Sequence, residues 1–240
     1  MPDGLFAALA LGAVTVGALH SLAPDHWVPF AALARAQRWS TARTMTITAL
    51  CGFGHVTVSV LLGLLGLVFG VSMLRTFGER MEAAAGVLLI GFGLVYGLWG
   101  LRRAARGHLH SHLHGHAHVH PHDDDHGGGH RHGHGHPHVH VRDVEVSPRL
   151  TAWTLFLVFS VDPCVAVVPL LFAAAPLGAL KTVAIVVLYE IATIGAMVLL
   201  VTPARAAARA VRGEWLNRYG DAAAGGVIVF VGLAVAALGW

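Results

Sequence analysis

TVAIVVLYEIATIGAMVLLVT, residues 182–202, carries a single charged side chain, Glu190. As a helix rising about 1.5 Å per residue it is long enough to cross the roughly 30 Å hydrocarbon core of a bilayer. Five further stretches read the same way, at residues 5–22, 44–70, 81–101, 150–177 and 222–240. Hydrophobic residues make up 55% of the chain and charged residues only 12%, which places it among polytopic membrane proteins and leaves little room for a soluble domain. The first stretch has no basic flank before it and holds its polar residues at its far end, so we read it as a retained span and not as a cleaved signal.

Lysine and arginine divide unevenly between the two sides of a six-span arrangement. Arg75, Arg80 and Lys181 fall on one side. Arg35, Arg38, Arg43, Arg102, Arg103, Arg106, Arg131, Arg142, Arg149, Arg205, Arg209, Arg212 and Arg218 fall on the other. Positive charge marks the cytoplasmic side, so both termini are expected outside and the long loop inside, in a bacterial cytoplasmic (inner) membrane. The net charge of +3 is on this reading a topology signal, and no nucleic-acid partner is expected. Arg205, Arg209 and Arg212 recur among alanines at helical spacing, which predicts a short helix at the inner surface. Trp39, Trp99, Trp153 and Trp215 are expected to form an interfacial belt there.

Residues 102–149 form the loop between the third and fourth spans. Within it lie His108, His110, His112, His114, His116, His118, His120, His122, His126, His130, His132, His134, His136, His138 and His140, all but three of the chain's 18 histidines. Mixed with Gly, Pro and Asp123-Asp124-Asp125, such a stretch cannot build a core, and a disordered loop is expected. Neutral imidazole is the commonest side-chain ligand for Ni, Co, Cu and Zn, so the loop reads as a flexible polydentate metal trap. A flexible ligand set follows the general affinity order of the metals and supplies no selectivity.

Selectivity needs a rigid site, and His20-Ser21-Leu22-Ala23-Pro24-Asp25-His26 offers one. Ionisable groups at membrane depth are expensive and mark function by default. On a continuous helix His20 and His26 would differ by about 9 Å in height and about 120° in azimuth. Two nitrogens on one ion lie at most about 4.2 Å apart, so an unbroken helix forbids joint chelation. Pro24 cannot donate to the carbonyl of His20, and Pro29 cannot donate to that of Asp25. A helix broken between His20 and Pro29 brings His20, Asp25 and His26 within reach of one ion and offers freed carbonyls as well. The alternative is a polar helix end at the inner interface.

A weak internal repeat supports the metal reading. Ser21-Leu22-Ala23-Pro24 corresponds to Ser160-Val161-Asp162-Pro163, and each segment runs past a second proline, Pro29 or Pro169, into Phe-Ala-Ala. The next span of each half holds one ionisable residue of its kind, His55 in the first and Glu190 in the second. Three spans per half make the halves inverted, and paired broken helices in inverted repeats point to a transport site near the midplane. The expected fold is therefore all-α, six transmembrane helices in two inverted three-helix repeats, 1–101 and 150–240, each with a Pro-broken first helix. Asp162 and Glu190 at that depth would together cost about 6 kcal/mol if unpaired, so they need a cation, a proton or each other. Alone, each buried polar residue could instead tie helices together by hydrogen bonds. Cys51 and Cys164 are the only thiols. Either could add a soft ligand, although small buried cysteines are usually inert.

HxxxxDH in an early span, Gly54-His55-Val56-Thr57-Val58, Val161-Asp162-Pro163 and Pro169-Leu170-Leu171-Phe172-Ala173-Ala174 resemble the signatures of the nickel/cobalt transporters. Six spans with a His-rich cytoplasmic loop resemble most the NicO branch, which includes nickel/cobalt efflux proteins and urease-accessory permeases. The family's permease motif has a further aspartate where Ala23 stands here. The resemblance implies that His20, Asp25 and His26 are metal residues with His55 and Asp162 as partners, and that Ni2+ or Co2+ is the transported ion. Glu190 rests on the repeat alone.

A divalent cation moving inward gains about 4.6 kcal/mol per 100 mV of inside-negative potential, so uncoupled transport would be import. Efflux needs an energy source, and Gly178-Ala179-Leu180-Lys181-Thr182 lacks the full phosphate-loop pattern. Proton exchange through Glu190, Asp162 or His55 is the available route. We expect proton-coupled efflux, with import as the alternative, no resident cofactor and no enzymatic activity. A membrane thiol-electron conductor of the CcdA type is the second alternative, and it would need Cys51 and Cys164 to exchange a disulfide. A membrane-anchored metal buffer or sensor is a third class, and homo-oligomerisation is left open.

Overall fold

A computed structural model describes residues 2–110, 148–162, 164, 166–211 and 213–238. His112 to His140 of the expected metal trap, Pro163 and Arg212 lie outside these residues. Every regular element among the described residues is a helix: α1 (Pro2–His20), α2 (Val28–Ala36), α3 (Thr41–Phe69), α4 (Val71–His110), α5 (Pro148–Val161), α6 (Val167–Ala174), α7 (Ala179–Ala210) and α8 (Glu214–Leu238), with 3-10 turns at Pro24–His26 and Ala175–Leu177.

Five of the helices, α1, α3, α4, α7 and α8, are long and apolar enough to cross a membrane. The expected broken span at 150–177 is two short apolar helices, α5 and α6, separated at Asp162, neither long enough alone to cross a membrane. Large apolar side chains point outward, with Leu180 85% exposed, Val68 75% and Phe230 73%, whereas Asp25, His26, His55 and Thr48 are buried. A water-soluble protein does not spread apolar surface on this scale, so the distribution is that of a multi-pass chain embedded in lipid.

Helix ends follow local chemistry. Ser40 caps α3 by accepting from the Arg43 amide at 3.2 Å. Gly70 (φ 99) ends α3 in a conformation costly for any residue with a Cβ, and Gly178 (φ 92) does the same before α7. Pro24 opens a 3-10 turn and Pro29 sits in the first turn of α2, where a missing amide proton is no loss.

The tightest packing is between α4 and α8. A Cβ on Gly93 would meet the Val229 amide nitrogen at 2.7 Å, and one on Gly100 the Ala222 amide nitrogen at 2.5 Å. Only glycine lets the two backbones approach so closely, the usual basis of helix association in lipid. α1 packs on α7, α3 on α5, α6 and α7, and α2 on α7 and α8.

Three expectations are corrected. The segment with Arg205 and Arg209 is no separate surface helix, because α7 runs through Pro203 to Ala210. Arg205 donates to Thr41 Oγ1 (2.7 Å) and the Trp39 carbonyl (2.9 Å), and Arg35 donates to the Ala208 and Val211 carbonyls, pinning the end of α7 to the α2–α3 linker. Trp39 is no belt residue, being 2% exposed in the core with its ring N–H on Gln37 Oε1, whereas Trp153 and Trp215 are exposed. Finally, α4 continues to His110, so residues 102–110 belong to a helix and not to the loop.

Candidate metal centre

α1 ends at His20, and the chain then turns through Ser21–Ala23 into the Pro24–His26 3-10 turn. The Ala23 amide donates to the His20 carbonyl (3.1 Å) and the His26 amide to the Ala23 carbonyl (3.1 Å). The His20 carbonyl is thus satisfied within the turn, contrary to the expectation that Pro24 would leave it free. Ser21 anchors the break, with its hydroxyl 2.8 Å from the Gly17 carbonyl and 3.1 Å from that of Thr193 on α7.

The turn reverses the relation a straight helix would impose. The rings of His20 and His26 lie 4.4 Å apart, edge to face, and His55 from the middle of the 29-residue α3 completes the group. One donor atom from each of His20, His26 and His55 lies within 4.8 Å of the others, with His26 and His55 buried and His20 half-buried. His26 Nε2 and His55 Nε2 are 3.4 Å apart. Two nitrogens bound tetrahedrally at about 2.1 Å from one ion would also be about 3.4 Å apart. The remaining spacings, all within 4.8 Å, are close to the about 4.2 Å limit for two ligands of one ion.

The imidazoles are oriented from behind. His55 Nδ1 lies 3.2 Å from the Phe159 carbonyl, an oxygen that can only accept, so Nδ1 carries the proton and Nε2 offers its lone pair to the centre. His26 Nδ1 lies 3.0 Å from Asp25 Oδ1, and Asp25 is buried with no hydrogen-bond partner of good geometry. Carboxylate or carbonyl behind an imidazole is the usual support for a ligating histidine. His20 Nε2 is buried without a hydrogen-bond partner. Asp25 and Asp162 line the same narrow cleft with Ala85, Leu89, Val158 and Phe159.

Ser59 was missed in the sequence. Its hydroxyl donates to the His55 carbonyl (2.7 Å) and accepts from the Cys164 amide (2.6 Å), satisfying a backbone group of the second break at membrane depth. Its position one turn beyond His55 was the available signal. Gly54, next to His55, has no room for a side chain. A Cβ there would meet Ser160 Oγ at 2.7 Å and the Phe156 ring at 2.8 Å, so glycine is what lets α5 approach until the Phe159 carbonyl reaches His55.

Other expected site residues lie elsewhere. Cys164 Sγ sits 2.6 Å from Tyr189 Oη, in an apolar cluster with Ala13, Val56 and Val167. Cys51 is buried in a second cluster with Phe30, Leu155 and Phe159. Glu190 is half-buried on α7 with Oε1 lacking a hydrogen-bond partner, and it is not among the converging donors. His108 and His110 end α4. Searches of known protein families, curated proteins and solved structures found no match to this chain.

Proposed function

We propose that the protein transports divalent transition-metal cations of the Ni2+/Co2+ class across a bacterial cytoplasmic membrane, as an exporter that exchanges metal for protons. The observation that carries this reading is the convergence of His20, His26 and His55 in the apolar interior. Three imidazoles, two of them buried and backed by an outer partner, form a donor set suited to borderline transition metals inside a lipid-embedded bundle. The resemblance to the NicO branch gives Ni2+ and Co2+ precedence over other ions.

On this reading α5 and α6 together form one broken span, giving six spans in two inverted halves. The packing supports this: α1 lies on α7 as α5 lies on α3, α2 lies on α7 as α6 lies on α3, and α3–α7 and α4–α8 pair across the halves. The termini would lie outside, and the His-rich loop would collect metal in the cytoplasm. Import with the same site is the second reading, because Asp25 and Asp162 beside the imidazoles would stabilise an incoming cation equally well. The thiol-conductor reading gains no support, since Cys51 and Cys164 lie in separate apolar clusters.

Ni2+ and Co2+ flux in proteoliposomes, with and without a pH gradient, tests the proposal. Wild type should show saturable flux accelerated by an opposing proton gradient, and His20→Ala or His55→Ala should lower it at least about tenfold. Glu190→Ala should keep flux down the metal gradient and lose the acceleration by protons. Unchanged flux in both histidine variants would remove the site from the transport path, and metal uptake without proton movement would favour import.

A further inference from the structure

Along the outside of the α4–α8 pair runs an apolar groove of about 400 Å³ that plays no part in the metal centre. Its walls are Leu94, Leu98 and Leu101 on α4 and Trp215, Tyr219 and Val229 on α8, and its floor is glycine and alanine. On α4 the lining runs from Gly93 to Leu101, and on α8 from Trp215 to Val229. At 1.5 Å per residue these are about 12 Å and about 21 Å, which bracket the roughly 15 Å depth of one leaflet's hydrocarbon.

One end of the groove is marked chemically. Trp215 and Tyr219 stand where the helices meet the arginine-bearing face, as aromatic residues do at a membrane interface. Arg102 is exposed one helical turn beyond Leu98 on the same face of α4. Arg218 is exposed between Trp215 and Ala222, with its guanidinium over the Tyr219 ring (5.2 Å) and Nη2 donating to the Ala104 carbonyl of α4 (3.4 Å). Arg103 is also exposed there, paired with Asp221 at 3.0 Å. Thus an apolar slot one leaflet deep opens onto a cluster of cations.

We infer that this groove holds one acyl chain of an anionic phospholipid, whose phosphate is bound by Arg102 and Arg218. Charge complementarity decides the occupant: a zwitterionic lipid would fill the slot equally well but would not gain from the arginines, as an anionic headgroup does. The glycine floor is what leaves the slot open. A Cβ on Gly226 would meet nothing within 4 Å, so a larger side chain there would project into the space the acyl chain occupies.

Purified full-length protein incubated with an equimolar mixture of phosphatidylglycerol and phosphatidylcholine, then washed in detergent on a sizing column, gives the lipid retained per chain. Wild type should retain phosphatidylglycerol about tenfold over phosphatidylcholine. Arg102→Ala/Arg218→Ala should lose that preference, and Gly226→Leu should lose retention of both lipids. The first variant changes only exposed positions and the second enters open space, so either alone decides if the other is poorly behaved. Equal retention of the two lipids by wild type, or unchanged retention in Gly226→Leu, would overturn the inference. So would a fall from dimer to monomer in Gly226→Leu without loss of lipid, which would make the groove a seat for a second copy of the chain.

Discussion

The Phe159 carbonyl and the Asp25 carboxylate do for His55 and His26 what ligand identity alone cannot: they decide which nitrogen faces the centre. With its Nδ1–H directed at Phe159 O, His55 presents Nε2 as a lone pair. Asp25 Oδ1, 3.0 Å from His26 Nδ1, favours the matching tautomer of His26 and offsets part of the positive charge of a bound ion. Loss of such an outer partner typically costs 10–100-fold in metal affinity. Asp25→Asn should therefore raise the KM for Co2+ flux by at least about tenfold while leaving much of the maximal rate, whereas His26→Ala should abolish saturable flux. An unchanged KM in Asp25→Asn would mean that the carboxylate does not orient the imidazole. At this scale His20, Asp25 and His26 were legible, because helix geometry forces a break before their side chains can meet. Phe159 was not legible, since a backbone carbonyl leaves no mark in the residue type.

At the scale of helices, the site depends on how closely α3 and α5 approach. Gly54 lies beside His55 and faces Ser160 and Phe156 with no room for a side chain. Gly54→Val would push α5 outward and draw the Phe159 carbonyl away from Nδ1. Its expected effect is on metal handling more than on folding: flux should fall at least about tenfold while the helical circular dichroism of the purified protein stays near wild type. Wild-type flux in this variant would show that the close approach serves packing alone. The six apolar stretches were plain in the sequence because hydropathy is additive along the chain. Helix contacts were not. The arginine spacing suggested a separate short helix after the span, yet α7 continues to Ala210, and Arg205 and Arg35 tie its last turns to the α2–α3 region. A similar long-range effect takes Trp39 out of the interfacial belt and into the core.

For the whole molecule, the distribution of charge separates two faces. At one end the start of α1 meets the start of α7, where Lys181 pairs with Asp3 at 3.0 Å. At the other lie Arg35, Arg38, Arg43, Arg103, Arg205, Arg209 and Arg218. The packing places these ends on opposite sides of the bundle, because α7 runs from the Lys181 end to the Arg209 end as one 32-residue helix. Its length, about 48 Å at 1.5 Å per residue, exceeds the roughly 30 Å hydrocarbon core, so both ends reach the headgroups. On the proposed topology, the excess of arginine on one face turns that face toward the cytoplasm. Single cysteines at Asp3 and Arg218, both at exposed positions, test this orientation against a low background, because Cys51 and Cys164 are buried. In intact cells Asp3→Cys should react with a membrane-impermeant maleimide, while Arg218→Cys should react only after the cells are opened. The reverse pattern would turn the molecule over, putting the arginine face and the His-rich loop outside and removing the cytoplasmic metal trap on which the export reading depends.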